Sequence, residues 1–555
     1  MEKVWLKHYP EGVPEQINPD KYSSLVAMIE ESFDKYPDHP ACSNMGVTLS
    51  FSDLDRKSKQ FASYLQNILH LKKGARVAIM LPNLLQYPIA LYGILRAGMI
   101  AVNVNPLYTA RELKHQLSDS GAEAMIILAN FAHVLSEVID ETPVRRVVVT
   151  EIGDLCPWPK RSLVNFIVKY VKKMVPKYDL PKSDSMAYVM ARGKNKAHNP
   201  IELTHDDIAF IQYTGGTTGV SKGAVLTHRN MVANVMQSEV WFKPLINSSN
   251  EAIITALPLY HIFSLTANCL LFTKIGGESI LITNPRDMDG FVKTLKSTRF
   301  TCITGVNTLF NGLLNTPGIE EVDFSRLKMS FGGGMAVQES VANEWNELTN
   351  TILIEGYGLT ETSPAAIVNP MDTDYFSGTI GLPISSTEVC LRDNDGKEVG
   401  FNESGEVCIR GPQVMRGYWQ RPDETTEVLD SEGWFATGDI GVMDEKGYVK
   451  LVDRKKDMIL VSGFNVFPNE LEEVISHHPD VLEVAAIGVA DEHSGEVVKV
   501  FIVPKSADLT EQNVKDYCKE NLTGYKRPKY VVFMDELPKS NVGKILRKDL
   551  RALES

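Results

Sequence analysis

The chain reads as an α/β protein, with a large N-terminal domain over residues 1–455 and a small α+β domain over 456–555. The large domain is expected to hold two parallel-type α/β subdomains and a small β-barrel-like subdomain at about 379–452. Three observations predict this. Through the first 250 residues, and again from Ala252 to Leu353, short apolar runs alternate with amphipathic helical runs. That is the pattern of parallel strands joined by crossover helices. Between Thr379 and Val452 the texture changes to short strands punctuated by Gly and Pro, which suggests a small antiparallel barrel or sheet. The very polar DRKKD (453–457) then reads as an exposed connector, after which helical and strand-like runs begin again.

The elements follow in order. RVAIMLPN is short, apolar and strand-like, LLQYPIALYGILRAG has helical spacing and ends in Gly, and MIAVNVNP is strand-like again. EAMIILAN and RRVVVTEI are strands around a helix through His133 and Val138. DIAFIQ is a strand, and a helix starts near His228. ESILIT and RFTCITGV are strands of the second subdomain. TIGLPI, TEVCLRDNDGKEV, GEVCIRG and GYVKLVD supply the small β unit. The C-terminal domain offers helix NELEEVISHHP, strands VAAIGV and KVFIVP, and a helix from Glu511.

Composition narrows the function classes. At 555 residues the chain has room for three or four folding units, on a prior of roughly 150 residues each. A content of 43% hydrophobic and 23% charged residues excludes a disordered or collagen-like chain. Lys and Arg number 57 against 70 Asp and Glu, a net charge of −13, so nucleic-acid binding is not expected. The cysteines Cys42, Cys156, Cys269, Cys302, Cys390, Cys408 and Cys518 are scattered, with neither a CxxC nor zinc-ligand spacing. They read as reduced thiols of a cytoplasmic protein. The opening MEKVWLKHYPEG lacks an apolar core of signal-peptide length.

Two uncharged stretches invite a membrane reading. Val77–Leu95 contains Pro82, Asn83, Gln86 and Pro88 and divides into strand and helix, while Ala252–Thr273 breaks at Pro258 and at Tyr260-His261. Both are therefore expected in the core. A different segment, SLVNFIVKYVKKMVPK (Ser162–Lys177), reads as a basic amphipathic helix with Lys169, Lys172 and Lys173 grouped on one side. Such a helix can pack as an ordinary surface element or lie in a membrane interface.

The strongest local signal is YTGGTTGVSKG, bracketed by apolar elements: Tyr213, Thr214, Gly215, Gly216, Thr217, Thr218, Gly219, Val220, Ser221, Lys222 and Gly223. Glycines let backbone amides converge on an anion, hydroxyls add donors and Lys222 adds a positive charge, a set suited to a polyphosphate. The Walker A spacing GxxxxGK[ST] is absent, which disfavours a switch-type ATPase.

This loop resembles the phosphate loop of the acyl-adenylate-forming superfamily, which comprises acyl-CoA synthetases, peptide-synthetase adenylation domains and firefly-type luciferases. Further similar motifs follow in the family's order: LPLYHIF (Leu257–Phe263), FGGGM (Phe331–Met335), GYGLTE (Gly356–Glu361), GWFATGD (Gly433–Asp439), DRKKDMILVSGFNVFP (Asp453–Pro468) and LPKSNVGKILR (Leu537–Arg547). The similarity spans essentially the whole chain. Through KVWL, PNLLQYP and LITNPRD it looks most like the bacterial long-chain-fatty-acid–CoA ligases.

The resemblance implies a two-step reaction. A carboxylate attacks the α-phosphate of ATP to give acyl-AMP and pyrophosphate, and the coenzyme A thiol then displaces AMP. A carboxylate is already a nucleophile, so the protein must mainly align reactants and absorb developing charge. By resemblance, Tyr213 to Lys222 cradle the β- and γ-phosphates, Glu361 helps hold Mg²⁺, and Thr360 bonds a phosphate oxygen or the acyl group. Gly332, Gly333 and Gly334 let adenine and the acyl chain approach the backbone, Tyr357 and Gly358 belong to the nucleotide site with Tyr357 flanking the purine, Asp439 holds the ribose, and Arg454 reaches ribose or phosphate. Lys544 is the implied catalytic lysine, carried in by a mobile C-terminal domain that turns about Lys456. His261 borders the acyl pocket, and Ser462, Gly463 and Phe464 lie along the pantetheine path. The runs Leu257–Phe272 and Thr301–Leu314 offer apolar tunnel walls.

The implied substrates are a long-chain fatty acid, ATP and coenzyme A, and the implied location is cytoplasmic, in part at the inner membrane face. A homodimer is allowed. Two alternatives share the motifs: an adenylation enzyme loading a separate carrier protein, and a luciferase-like oxygenase.

Overall fold

The computed structural model describes residues 2–214, 221–246, 250–454, 456–462, 464–491, 494–540 and 542–554, with no account of the side chain of residue 465. Residues 215–220, most of the glycine-rich loop, and Gly463 lie outside the described residues.

The strands anticipated in the N-terminal half assemble into an eight-stranded sheet. From one edge its order is Gly417–Tyr418, Gly223–Thr227, Ile208–Tyr213, Ile100–Asn103, Arg76–Met80, Ala124–Leu128, Arg146–Thr150 and Ser183–Ser185. The strands from Ile208–Tyr213 onward are parallel to their neighbours, and the first two are antiparallel. Ile100–Asn103 and Ala124–Leu128 are buried at every position, which is why they read as unbroken apolar runs. Helix Gln86–Arg96 is buried along its whole length, so the uncharged stretch Val77–Leu95 is core as expected.

A nine-stranded sheet forms the second subdomain. Its order is Leu382–Pro383, Ala365–Val368, Leu353–Gly358, Met329–Gly333, Cys302–Gly305, Ala252–Thr255, Glu278–Leu281, Pro40–Asn44 and Val47–Ser50. The five pairings among the six middle strands, Leu353–Gly358 to Pro40–Asn44, are parallel, while two pairings at one edge and one at the other are antiparallel. Ala252–Thr273 resolves into a strand and a short helix that passes through a π-helical segment, Leu265–Leu270, all buried. Among the described residues no helix is long and apolar enough to cross a membrane.

The small β unit corrects the barrel-like expectation. It is an open antiparallel meander of Glu388–Arg392, Ser404–Arg410, Phe435–Met443 and Val449–Arg454, whose outer strands do not pair with each other. TIGLPI contributes instead to the edge of the nine-stranded sheet. The long strand Phe435–Met443 escaped sequence reading because GWFATGD interrupts its alternation with glycines.

A separate five-stranded sheet begins at Ile459–Val461 and adds Phe464–Val466, Val481–Asp491, Gly495–Pro504 and Tyr530–Phe533. Helices Pro468–Ser476 and Glu511–Asn521 cover it around a core that includes Leu471, Ile475, Val500 and Val514.

The basic segment also departs from expectation. Its helix starts at Lys160, turns π-helical at Ile167–Val171 and ends there, so Lys172 and Lys173 follow the helix rather than extend it. Lys173 takes a positive φ of 52°, which no right-handed helix accommodates.

Candidate active site

The site grows from neighbouring strand ends of the nine-stranded sheet. Met329–Gly333 and Leu353–Gly358 run parallel with Gly332 opposite Glu355 and Gly333 opposite Gly356, so FGGG and GYG meet side by side. A Cβ on Gly333 would stand 3.0 Å from the Gly356 carbonyl and 3.3 Å from the Phe263 ring. Glycine there leaves room for a flat ligand against the backbone. At Gly358 a Cβ would fall 2.0 Å from the Pro364 carbonyl, so the chain can reverse into the antiparallel strand Ala365–Val368.

GYGLTE then ends in the short 3₁₀ turn Thr360–Thr362, which holds Glu361 almost out of solvent. The Tyr418 hydroxyl donates to Glu361 Oε1 at 2.8 Å, and the Met415 N–H donates to the Glu361 carbonyl at 2.7 Å. Burial pushes the Glu361 carboxyl up, while the Tyr418 hydrogen bond opposes that shift. A buried carboxylate oriented in this way, beside the Thr360 hydroxyl, fits a hard divalent cation such as Mg²⁺ that completes its shell with phosphate oxygens and water.

The small meander supplies a second cluster. Asp439 and Arg454 face each other across antiparallel strands, with Arg454 Nε 3.3 Å from Asp439 Oδ1. The Tyr357 hydroxyl donates to Asp439 Oδ2 at 2.5 Å and so joins GYG to GWFATGD. Burial and the Asp439 charge hold the Tyr357 hydroxyl well above its ordinary pKa, so it stays a donor.

The C-terminal domain brings Lys544 to this cluster. Its turn is tight: the Ser540 N–H donates to the Lys544 carbonyl at 2.7 Å, and the Gly543 N–H donates to the Ser540 carbonyl at 3.0 Å. Burial, with the Arg454 charge next, pulls the Lys544 amine down to about 7, and Asp439 opposes the shift. His261 lies in the same field: burial and then the Lys544 charge hold it down at about 4, a neutral imidazole. Its Nδ1 accepts from the Phe263 N–H at 3.4 Å.

Residues that sequence reading missed organise the phosphate side. Thr214 and Lys222, at the two ends of the glycine-rich loop, are joined by a backbone hydrogen bond of 2.9 Å. The Tyr213 hydroxyl donates to Asp119 at 2.6 Å, and Arg421 donates to the other oxygen of Asp119 at 2.8 Å. Lys222 pairs with Glu424 at 3.1 Å and lies 5.2 Å from the centre of the Tyr418 ring. Tyr418 therefore links Lys222 to Glu361. Asp119, Tyr418, Arg421 and Glu424 carry no motif, and only the antiparallel pairing of Gly417–Tyr418 with Gly223–Thr227 brings the last three to the loop.

The remaining expected residues stand elsewhere. Lys456 is exposed in the turn between Val449–Arg454 and Ile459–Val461, where the Asp457 N–H bonds the Arg454 carbonyl at 2.9 Å. Ser462 and Phe464 belong to an exposed hairpin, with Phe464 stacked on Tyr525 at 4.7 Å. Among the described residues no hydrogen bond or ion pair joins them to the Lys544 cluster.

With this geometry in place, comparison with known proteins is decisive. The family model for AMP-binding enzymes matches residues 29–419, and the model for their C-terminal domain matches residues 470–544. The chain belongs to the AMP-binding enzyme family. It is 58% identical over 551 residues to the long-chain-fatty-acid–CoA ligase of Escherichia coli O157:H7, covering 99% of this chain and 98% of that protein. ATP-bound MatB from Rhodopseudomonas palustris is 27% identical with a TM-score of 0.79, covering 95% of this chain and 98% of that one. The anthranilate CoA ligase AuaEII, at 23% identity and a TM-score of 0.86 over 97% of this chain and 99% of that one, shares the fold. The fold shared with these structures is the large α/β domain followed by a small C-terminal domain.

Proposed function

We propose that this protein is a long-chain-fatty-acid–CoA ligase, an AMP-forming acid–thiol ligase. The observation that carries the reading is the placement of Lys544 in the field of Asp439 and Arg454, with Tyr357 bonded to Asp439, joined with the 58% identity to ligases of that name. In the first step a fatty-acid carboxylate oxygen forms a bond to the α-phosphorus as the bond to pyrophosphate breaks. Lys544 stabilises charge growing on the α-phosphate and acyl oxygens, and Arg454 adds a second cation. Asp439 accepts from the ribose hydroxyls, with Tyr357 and Arg454 holding its carboxylate in place. Gly332, Gly333 and Gly334 admit the adenine, and the loop from Tyr213 to Lys222 receives the β- and γ-phosphates. Glu361, with Thr360 next to it in the chain, would hold Mg²⁺, which would neutralise charge on the phosphates. His261 stays neutral and lines the acyl side.

In the second step the C-terminal domain swings about Lys456 and presents Ser462, Gly463 and Phe464 along the pantetheine path. The coenzyme A sulfur then forms the thioester as AMP leaves. A pure-protein incubation with ATP, Mg²⁺, coenzyme A and C4–C20 fatty acids tests this reading by mass spectrometry. Long-chain acyl-CoA with stoichiometric AMP supports it. Short-chain products overturn the substrate class, and acyl-AMP without thioester points to a carrier protein as acceptor.

The lysine predicts a proton linkage. Without ligand at pH 8 the Lys544 amine is largely neutral, because its pKa is about 7. A polyphosphate beside it favours the ammonium form, so ATP binding at pH 8 should take up close to one proton. Calorimetry in buffers of different ionisation enthalpy measures this, and Lys544→Met should abolish it. Uptake that persists in the variant would assign the proton elsewhere.

A cytoplasmic enzyme working in part at the inner membrane face suits an insoluble substrate, and the basic segment supports that placement. Between Asp154 and Asp179 there is no acidic residue, yet Lys160, Arg161, Lys169, Lys172, Lys173 and Lys177 fall there in a chain of net charge −13. Trp158 is 83% exposed, and Leu163, Phe166, Tyr170, Val171 and Met174 are exposed with it. Apolar side chains facing water among lysines match an anionic bilayer surface. Replacing Lys169, Lys172 and Lys173 with Gln should weaken binding to phosphatidylglycerol vesicles in cosedimentation by roughly 100-fold, at about 1 kcal/mol per lysine. Unchanged binding would remove the segment from the interface.

A further inference from the structure

Helix Asn307–Leu314 lies against the C-terminal domain through side chains that the reaction itself does not use. Thr308 donates its hydroxyl to the Gly543 carbonyl at 2.8 Å, one residue before Lys544. Asn311, one turn further on, donates Nδ2 to the Leu482 carbonyl at 3.0 Å. Residues three apart share a helix face, so both donors point at the same domain. Asn315 donates to Asn311 Oδ1 at 3.0 Å, which fixes the orientation of the Asn311 amide.

The two acceptors form one body. Lys539, on the lysine loop, pairs with Glu483, next to Leu482, at 2.7 Å. A third donor belongs to the same platform: Asn307 and Gln338 exchange two hydrogen bonds of 3.0 Å, and the adjoining Glu339 N–H donates to Glu473 of the C-terminal domain at 3.3 Å. In all three contacts the large domain donates and the small domain accepts. Gly543 permits the approach. It takes a φ of +82°, and a Cβ there would lie 2.8 Å from Thr308 Oγ1 and 3.0 Å from Val306 Cγ2.

We infer that Thr308 and Asn311 are positioning residues for adenylation, seating the Lys544 turn by holding the carbonyls of Gly543 and Leu482. The inference rests on the two-step, domain-alternating reaction proposed above. Neither side chain touches the reacting atoms; both select the orientation in which Lys544 reaches them. Thr308 keeps its β-branch in valine and loses only the hydroxyl, so Thr308→Val removes the bond with little change in shape.

The test measures both half-reactions of the full-length protein. Single-turnover acyl-AMP formation should fall roughly 3- to 10-fold in Thr308→Val and in Asn311→Leu, and about 10- to 100-fold in the double variant. Thioester formation from supplied acyl-AMP and coenzyme A should hold or rise, since the competing orientation is weakened. KM for ATP should stay near that of the parent while kcat of adenylation falls, and Thr308→Ser should restore the rate. Equal loss in both half-reactions together with a lowered melting temperature would reduce these residues to structural ones and overturn the inference. Unchanged acyl-AMP formation in a folded double variant would also overturn it. Lys544→Ala serves as the internal reference: if it too depresses both steps equally, the alternating reaction itself fails, whereas a split seen only with Lys544→Ala leaves that reaction standing and removes the role of the helix.

Discussion

Lys544→Ala is expected to slow acyl-AMP formation by about 10²–10³-fold, the range for removing one charge-stabilising donor from a preorganised site. Thioester formation from supplied acyl-AMP should be largely spared. The reason lies in the position of the amine: it is partly buried in the field of Arg454 and Asp439 and is carried on a turn of the C-terminal domain. In the alternating reaction proposed above, such a group would serve only the step in which that turn faces the α-phosphate. Lys544→Arg should recover little, because a planar guanidinium cannot place its charge as a compact ammonium does. Rapid-quench measurement of the two half-reactions decides the matter, and an equal loss in both would contradict the alternating-domain reaction.

Arg547→Met should destabilise the protein by about 3–5 kcal/mol, the cost of leaving buried carboxylates without their cation. Arg547 lies 2.8 Å from Glu472, 3.4 Å from Asp453 and 3.7 Å from Asp457, and the Asp453 side chain is fully buried. The guanidinium ties the lysine turn to the strand that carries Arg454 on one side and to helix Pro468–Ser476 on the other. Asp457 has a second cation in Arg551 at 2.8 Å, so Asp453 and Glu472 bear most of the loss.

The pH dependence has a definite sign. Burial pushes the Asp453 and Glu472 carboxyls up. A carboxyl whose pKa is higher folded than unfolded favours the folded state when protonated, and that contribution is lost as pH rises through the folded pKa. The deficit of Arg547→Met should therefore be larger at pH 8 than at pH 5. Denaturant titration at the two pH values measures it. No deficit, or one that grows on acidification, would show that Arg547 does not neutralise this cluster.

Much of the fold was legible because its signals are local. Arg76–Met80, Ile100–Asn103 and Ala124–Leu128 are buried on both faces, so each writes an uninterrupted apolar run into the chain. The Gly-rich and charged motifs were legible for a similar reason: the close approach of the Gly356 carbonyl favours glycine at Gly333, and a buried carboxylate demands a specific residue at Glu361. Where a strand's alternation is broken by functional glycines, as in Phe435–Met443, the pattern fails and the element goes unread. The lysines of the basic segment keep helical spacing as far as Lys173, while the backbone leaves the helix at Val171.

The α/β class, the order of the motifs and the family resemblance are written in the amino-acid order. Each of these is fixed within a few neighbours along the chain, by side-chain period, glycine freedom or charge. Only the tertiary structure decided that Tyr357 closes on Asp439, that Tyr418 joins Glu361 to Lys222, that Asp119 anchors Tyr213, and that Thr308 and Asn311 meet the turn carrying Lys544. Those contacts join residues tens to hundreds of positions apart. A long-range hydrogen bond leaves no periodic trace in either segment, because its geometry is set by the packing of whole sheets and helices against one another.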